Sequence, residues 1–446
     1  MKRVALDDLK AWLKKPDRKP MVLRGARQVG KSTLVHLFCQ QEGLELLELN
    51  MEIESLNSIS GSDFELQRLL NEIQLKKKQS IHDKTLIFFD EIQASPKLLQ
   101  FLRYFYEQEP NIKLIAAGSL LEIALKSESF SFPVGRVEFY HLGPMSFREF
   151  LWACGEDLLD KKLSDFEFTE EVHLAAIRAL KNYYYVGGMP AVVKRYIQSQ
   201  SIVEVRDLQS QILQTYQADF PKYNNRINTQ RIARIFNALA LHIGKKVIYS
   251  KLDRESTSRE VKRVVELLFD SRVFLNCVHS DGNSIPLLGE SDPKIYKTYL
   301  LDIGLLNSLL RLDYEALELE FKNNFNTSGA IAEQFVAQHL VHFQGPSFAP
   351  SLSYHLRDKG SQKAEVGFLI EWKRDIYPLE VKASSKGHLK SLKYFALNKK
   401  SKLCFKVCLD QFQVDPSFAG KAKLVTLPIY ALEYLKENFA GLTDEM

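Results

Sequence analysis

Two glycines, a lysine and a serine lie close together near the start of the chain, at a spacing that suits the binding of phosphate. The segment reads Gly25-Ala26-Arg27-Gln28-Val29-Gly30-Lys31-Ser32-Thr33, which fits the pattern G-x-x-x-x-G-K-[ST]. The two glycines let the backbone wrap so that successive N–H groups point at phosphate oxygens. A helix that begins at Lys31 directs the positive end of its dipole at the same anion. We therefore expect these nine residues to hold the phosphates of a nucleotide.

Within this loop, Lys31 and Ser32 have separate predicted roles. The lysine ammonium reaches the β- and γ-phosphates, and the serine hydroxyl offers an oxygen to Mg²⁺. Arg27 contacts either phosphate or solvent, and the sequence leaves both open. An apolar strand (residues 21–23) precedes the loop and a helical pattern (34–38) follows it. That context disfavours the alternative, a chance glycine turn in front of a helix.

A second apolar strand, TLIFFDE at residues 85–91, ends in two acids. The carboxyl ends of parallel strands meet at one edge of a sheet, so Asp90 and Glu91 are expected near the phosphate-binding loop. Asp90 would hold the Mg²⁺ shell through water, and Glu91 would orient or deprotonate the attacking water. The alternative is a strand that simply ends in solvated acids. The pair favours hydrolysis over simple nucleotide binding.

Two further residues are candidates for contact with the γ-phosphate. Ser119 ends the strand-like run IKLIAAGS at the same predicted sheet edge, where it senses the γ-phosphate or only caps the following helix. Arg136, in PVGRVEF, would stabilise charge in the transition state, in its own subunit or in a neighbour. The alternative for Arg136 is an ordinary surface or salt-bridged arginine.

Apolar strands and helical patterns alternate through the first 120 residues, which is typical of a parallel sheet covered on both faces. Helical patterns dominate from about residue 147, and a polar, Asn-rich segment lies near residue 325. The chain is 45% hydrophobic and 26% charged, with a net charge of +5, which excludes a disordered or coiled-coil protein. No apolar run approaches about 18 residues, and the five cysteines form no CxxC pair. We predict a soluble, cytoplasmic protein with no membrane partner.

The motifs GARQVGKST, LIFFDEIQ, AAGSLLE and FPVGRVEFYHLGPMSFREF resemble a family of prokaryotic AAA+-type ATPases. The resemblance extends to YYVGGMPAVV (184–193), YLLDIGLLNSLL (299–310), GAIAEQFVAQHL and EVGFLIEW…YPLEVKASSKG, and so covers nearly the whole chain. It implies an ATPase core followed by a C-terminal domain of unknown function with a restriction-endonuclease-like, PD-(D/E)xK-like fold. It also implies adenine rather than guanine as the base, and assembly into a homo-oligomer.

The resemblance implies a nuclease-like site in the C-terminal domain. Glu333 on a helix and Glu380-Val381-Lys382 on a strand fit the pattern, in which carboxylates hold Mg²⁺ and the lysine stabilises charge. Where the family reads Glu-Val-Asp-Phe, this chain has Glu365-Val366-Gly367-Phe368, so the metal-binding aspartate is missing. Glu365 lies two residues back on the same strand face and could replace it in part, with a changed reach. We expect a degenerate site that binds or packs but does not cleave.

The predicted order of helices and strands in the middle region is that of a winged helix. Residues 229–278 read as two helices, then a third helix running into a strand. The third helix region carries the basic residues Arg254, Arg259, Lys262 and Arg263, interleaved with Asp253, Glu255, Glu260 and Glu266. Recognition of DNA and a mixed solvated face are both open.

The lysine-rich stretch 382–402, which includes Lys386, either binds along a phosphate backbone or is a solvated helix face. His339 and His342, three residues apart, have no acidic partner in register for a metal site.

These patterns predict an α/β protein whose AAA+-like P-loop NTPase sheet (1–147) is followed by three further regions. They are a helical lid-like segment (148–200), a winged-helix-like region (201–325) and a nuclease-like α/β domain (326–446). The expected cofactors are ATP and Mg²⁺. The favoured function is ATP hydrolysis that changes the conformation of a C-terminal half that binds nucleic acid or protein. The alternatives are a nucleotide-dependent switch with little turnover, and an ATP-regulated DNA nuclease, which Gly367 disfavours.

Overall fold

The computed structural model of the chain describes residues 1–59, 65–125, 135–223, 228–322, 329–357, 364–382 and 389–444. The boundary predicted near residue 325, Lys386, and Phe132, Pro133 and Val134 of the FPVGRVEF motif lie outside these residues. The chain divides into two compact units. The first contains residues 1–144, 270–272 and 345–349, and the second contains residues 145–269, 273–344 and 350–446. The predicted domain boundaries stay predictions.

The first unit is a parallel sheet flanked by helices. Its strands are β1 (Met21–Arg24), β2 (Glu45–Asn50), β3 (Thr85–Asp90), β4 (Lys113–Gly118) and β5 (Glu138–His141), in the spatial order β2-β3-β4-β1-β5. Its helices are α1 (Ala5–Leu13), α2 (Lys31–Glu42), α3 (Leu66–Lys77), α4 (Pro96–Gln108) and α5 (Leu121–Leu125). Every residue of β3 is buried, because helices cover both faces of the sheet, as its continuous apolar sequence predicts.

One apolar core lies between this sheet and helices α3 and α4. Ile87 and Phe89 of β3 contribute to it, and Leu69, Leu98 and Leu102 pack against them from the helices. All five side chains are fully buried. The core therefore holds the carboxyl end of β3, with its two acids, in a fixed place beside the loop that follows β1.

The helices of the second unit precede, interrupt and follow its strands. They are α6 (Phe147–Ala153), α7 (Asp157–Ser164), α8 (Glu170–Val186), α9 (Pro190–Ser199), α10 (Ile202–Tyr223), α11 (Thr229–Leu241), α12 (Tyr249–Leu252), α13 (Ser258–Asp270), α14 (Ile303–Leu309), α15 (Tyr314–Lys322), α16 (Gly329–Leu340), α17 (Lys390–Lys399) and α18 (Leu435–Asp444). Ser146 and Glu149 form a reciprocal capping box at the start of α6.

The second unit contains a mixed eight-stranded sheet. Its strands are β6 (Phe274–Ser280), β7 (Ser291–Leu300), β8 (Leu352–Arg357), β9 (Ala364–Trp372), β10 (Asp375–Val381), β11 (Leu403–Cys408), β12 (Gln413–Ala419) and β13 (Ala422–Pro428). The spatial order is β12-β13-β11-β10-β9-β8-β6-β7. Strand β6 pairs with β7 in antiparallel and with β8 in parallel, so the sheet is continuous across the predicted boundary near residue 325.

Asp302 explains two of the glycine-containing motifs. This fully buried carboxylate accepts the N–H of Gly188 at 2.6 Å and caps α14 by accepting the N–H of Leu305 at 2.9 Å. A Cβ on Gly187, whose φ is +75°, would lie 2.3 Å from an oxygen of Asp302. A Cβ on Gly304 would lie 2.5 Å from the carbonyl of Val186. The YYVGGMP and LLDIGLL motifs therefore fix a tight junction between α8 and α14.

The predicted α/β class with a parallel P-loop sheet is confirmed, and a separate mixed sheet is present in the C-terminal half. None of the helices in the described part of the chain combines the length and the apolar composition needed to cross a bilayer.

Candidate nucleotide-binding site

The predicted phosphate-binding loop joins the end of β1 to the start of α2. Gly30 precedes α2 with a φ of +91°, in the left-handed region that favours glycine. Gly25 is required for a different reason, since a Cβ there would lie 2.2 Å from the carbonyl oxygen of Leu142. The backbone therefore turns into the helix at Gly30 while passing close to another segment at Gly25.

Ser32 and Asp90 meet at the carboxyl edge of the sheet. The Ser32 hydroxyl donates a hydrogen bond of 2.6 Å to Oδ2 of Asp90, although 58 residues separate them in sequence. Asp90 is 8% exposed, and its other oxygen accepts the N–H of Glu91 at 3.0 Å. Neighbouring ligands of an octahedral Mg²⁺ lie about 3 Å apart, and Mg²⁺ binds through one or two protein oxygens plus phosphates and water. This pair of oxygens fits that requirement.

Lys31 lies inside the loop. Its ammonium donates to the carbonyls of Gly25 at 3.0 Å and Ala26 at 2.9 Å, and the residue is 6% exposed. Burial lowers the pKa of Lys31, and the nearby carboxylates of Glu91 and Asp90 oppose that effect. A buried ammonium with these neighbours is a strong partner for a phosphate.

Glu91 follows Asp90 with a left-handed backbone, its φ being +49°. Its Oε2 accepts the Ser119 hydroxyl at 3.0 Å and the Gln93 side-chain amide at 2.6 Å. Both donors use the same oxygen, which leaves Oε1 available to a water. The structure thus brings together Ser119 and Glu91 as expected from the sheet edge. Sequence reasoning missed Gln93, whose position two residues after Glu91 is its only signal.

Arg136 does not lie near this edge within one copy of the chain. It precedes β5, which is parallel to β1 with Glu138 opposite Met21, so it lies where these strands begin and not where they end. Its guanidinium forms a 2.7 Å ion pair with Glu107, and the side chain is 47% exposed. Arg27, within the loop, forms a 3.5 Å ion pair with Glu52. A role of Arg136 in a neighbouring subunit stays a prediction.

A second carboxylate, Glu122, connects the ends of two adjacent strands. Its Oε1 accepts Nε of Arg24, the residue before the loop, at 3.1 Å. It also accepts Nη2 of Arg272, which belongs to the same unit, at 2.6 Å. Only 12% of the Glu122 side chain is exposed. Glu122 ends the AAGSLLE motif, and the parallel arrangement of β1 and β4 is the signal that would have linked it to Arg24.

The nuclease-like residues of the second unit surround a buried lysine that sequence reasoning missed. Lys297, on β7, is 1% exposed, and its ammonium lies 2.5 Å from Glu365 and 3.7 Å from Glu333. Tyr299 donates its hydroxyl to Glu333 at 2.8 Å. Burial raises the pKa of Glu333, while Lys297 opposes that rise. Glu365, the acid considered as a partial replacement for the missing aspartate, is thus held by an ammonium.

Glu380 and Lys382 are adjacent to this cluster. Glu380 forms a 2.7 Å ion pair with Lys382 and accepts the backbone N–H of Gly367 at 3.2 Å. A Cβ on Gly367 would meet its nearest atom, the carbonyl oxygen of Leu379, at 3.6 Å, so steric crowding does not require glycine there. Across the described residues, no group of three or more His, Cys, Asp and Glu side chains is arranged to hold a metal ion.

His339 makes backbone contacts. Its Nε2 accepts the N–H of Phe147 at 3.0 Å, and its Nδ1 bonds to the carbonyl of Phe335 at 2.8 Å. Both ring nitrogens are therefore engaged. This arrangement positions α16 against the start of α6.

Three family models match consecutive parts of the chain. An AAA domain model matches residues 17–151, and two domains of unknown function, DUF8612 and DUF4143, match residues 177–316 and 328–430. No curated protein matches the chain.

Solved structures that match part of the chain include a Caenorhabditis elegans protein, PCH-2. It is 14% identical with a TM-score of 0.27, and the match covers 44% of this chain and 62% of PCH-2, under two thirds of its length. For the Aeropyrum pernix ORC1 protein in complex with DNA the identity is 13%, the TM-score 0.25, and the coverage 70% of this chain and 91% of that one. For the Thermotoga maritima RuvB Holliday junction branch migration motor the identity is 12% and the TM-score 0.29. That match covers 60% of this chain and 86% of the other. TM-scores this low give no information on function. The AAA domain match and the strand order agree on the first unit, which contains an AAA-type P-loop ATPase domain.

Proposed function

We propose that the protein is a Mg²⁺-dependent ATPase whose nucleotide state changes the conformation of its C-terminal half. The observation that supports this most directly is the 2.6 Å contact between Ser32 and Asp90. It joins the loop serine to the strand aspartate, the two groups that hold Mg²⁺ in P-loop enzymes. Glu91 lies next to them with one carboxylate oxygen anchored and the other available.

Each residue has a defined part in the proposed reaction. The N–H groups of residues 25–33 and the Lys31 ammonium bind the triphosphate and neutralise the charge that develops on it. Glu91 accepts a proton from water through Oε1 while the water oxygen attacks the γ-phosphorus. The bond to the β–γ bridging oxygen breaks, and ADP leaves with that oxygen. Ser32 and Asp90 would hold Mg²⁺, which supplies charge neutralisation at the β- and γ-phosphates.

The decisive measurement is steady-state ATP hydrolysis with direct measurement of ATP binding. We expect Glu91→Gln to lower the rate by at least about 100-fold with ATP affinity preserved, since general bases contribute about 10²–10⁴-fold. Lys31→Ala should abolish binding. Glu65→Gln, an exposed glutamate at the start of α3, is the matched control. ATP binding without turnover by the wild type would instead support the switch with little turnover.

The proposal extends to a homo-oligomer in which Arg136 acts on a neighbour's nucleotide. Its exposure, and its position away from the loop of its own subunit, support this. Arg136→Ala and Glu91→Gln should each be inactive alone. If Arg136 acts in trans, mixing the two variants restores part of the activity, because some interfaces combine an intact Glu91 with an intact Arg136. A mixture that stays inactive counts against this extension.

A further inference from the structure

Residues 229–300 of the second unit have the topology of a winged helix. Helices α11, α12 and α13 are followed by the antiparallel pair β6 and β7. A bridge between Lys246 and Lys297 adds the segment before α12 to the edge of that pair. In proteins built this way the third helix is placed to enter the major groove of DNA.

Helix α13 has one buried face and one charged face. Val261, Val264, Val265 and Leu268 are buried and hold the helix on its unit. Arg259, Lys262, Arg263 and Glu266 are exposed. Arg259 and Arg263 are one helical turn apart, about 6 Å, so their side chains lie on the same side.

Four acidic residues that interleave with the basic ones lie in ion pairs of their own unit. Asp253 and Glu255 pair with Arg234, at 3.1 Å and 3.3 Å. Glu260 pairs with Arg231 at 2.9 Å. Glu266 pairs with Lys262 at 3.6 Å. These local ion pairs reduce the repulsion that the four carboxylates exert on an approaching anion, with Asp253 and Glu255 sharing Arg234.

Three exposed arginines of this region lie outside these ion pairs. Arg254, Arg259 and Arg263 form no ion pair with any carboxylate in the described part of the chain. Residues 229–270, from the start of α11 to the end of α13, contain nine Lys and Arg against five Asp and Glu, a net charge of +4.

We propose that Arg254, Arg259 and Arg263 bind the phosphate backbone of duplex DNA, with α13 facing the major groove. The inference rests on the proposed function only in that it names the partner of the C-terminal half. The major groove is about 12 Å wide and admits one α-helix, and arginines bind phosphate in a bidentate manner. Duplex DNA is favoured over a protein partner because the exposed face of α13 offers charged side chains and no exposed apolar one.

The test is binding of a fluorescein-labelled 30-base-pair duplex by the full chain, followed by anisotropy without nucleotide between 50 and 300 mM salt. The triple variant Arg254→Gln, Arg259→Gln and Arg263→Gln should bind at least about tenfold more weakly at low salt. The slope of log K against log salt should become shallower by about 2.7, since each phosphate contact contributes about 0.9. The matched control removes three exposed basic residues elsewhere in the unit, as Lys161→Gln, Arg178→Gln and Lys194→Gln.

The outcomes separate this inference from the ATPase proposal. The proposed DNA-binding surface is supported if the control variant keeps the DNA affinity and the salt slope of the wild type while the triple variant loses both. No binding of duplex by the wild type at 50 mM salt overturns it, as does an equal loss in the control variant. ATP hydrolysis, measured on the same samples, tests the other proposal. Binding of DNA by a protein that hydrolyses no ATP would remove that proposal and keep this surface.

Discussion

The ammonium of Lys297 lies 2.5 Å from the carboxylate of Glu365, one of the acids of the nuclease-like site that the sequence predicts. Lys297 is almost fully buried, while 47% of the Glu365 side chain is exposed. One positive charge therefore serves Glu365 and the nearby Glu333 without a metal.

Removal of this lysine should destabilise the second unit. In Lys297→Met the two carboxylates lose their counter-ion, and we expect the free energy of unfolding to fall by about 2 kcal/mol, less than for a fully buried pair because water reaches Glu365. Urea denaturation measures this. Adding Glu333→Gln to the variant should recover part of the loss, since an amide needs no counter-ion. Lys294→Met, an exposed lysine of the same strand, is the control. If the free energy of unfolding of Lys297→Met equals that of the wild type, the ion pair contributes no net stability.

The same geometry predicts that the protein does not cleave DNA. Glu365 is occupied by Lys297, and Gly367 provides no carboxylate beside Glu380. Supercoiled plasmid incubated with the full chain, ATP and either Mg²⁺ or Mn²⁺ should stay intact. Metal-dependent nicking that disappears in Glu380→Ala would contradict this prediction.

Gln93 should affect turnover rather than ATP binding. Its amide donates to Oε2 of Glu91 at 2.6 Å. In the proposed reaction this bond would orient Oε1 towards the attacking water. Gln93→Leu should lower kcat by about tenfold, a fraction of the full effect of a general base, with ATP affinity unchanged. Gln67→Leu removes a similar 2.6 Å amide–carboxylate bond, to Glu109, and serves as the control. An equal change in affinity and kcat would mean that Gln93 only stabilises the site.

Gly25→Ala should disrupt the phosphate-binding loop. The added methyl carbon would lie 2.2 Å from the carbonyl oxygen of Leu142, so backbone has to move. We expect at least a tenfold loss of ATP affinity, measured by the ATP-dependent shift in Tm. The control, Gly329→Ala, adds a methyl group with no atom within 4 Å. If Gly25→Ala binds ATP normally, the loop has more freedom than its geometry indicates.

His339 should make stability depend on pH. Burial lowers its pKa from the ordinary 6.5 to about 4, so at pH 5 the unfolded chain holds a proton that the folded chain does not. Its contribution is complete above pH 6.5 and is lost as the pH falls towards 4, by about 3 kcal/mol in total. Urea midpoints of the wild type and His339→Gln should therefore converge below pH 6.5. Parallel curves for His339→Gln would contradict the prediction.

The ATPase core was predictable from sequence because its strands are buried on both faces. β3 and β4 therefore read as continuous apolar runs, and the rule that parallel strands end at one edge brought Asp90 and Ser119 to the loop. β12 was not predicted because it is an edge strand with five exposed residues and a proline. Lys297 could not be found either. A lysine in a strand is normally exposed, and only the tertiary packing of α16 and β9 around β7 shows that this one is buried.

Strand β6 has a practical consequence, because it has β7 on one side and β8 on the other. A fragment that stops near residue 325 would keep β6 but lose β8, and in the complementary fragment β8 would keep β9 but lose β6. Each piece would present open backbone N–H and C=O groups along a strand, which is a template for aggregation. Expression of the winged-helix region or of the C-terminal sheet alone should therefore give insoluble protein, and fragments for crystallography or spectroscopy need residues 145–444 together.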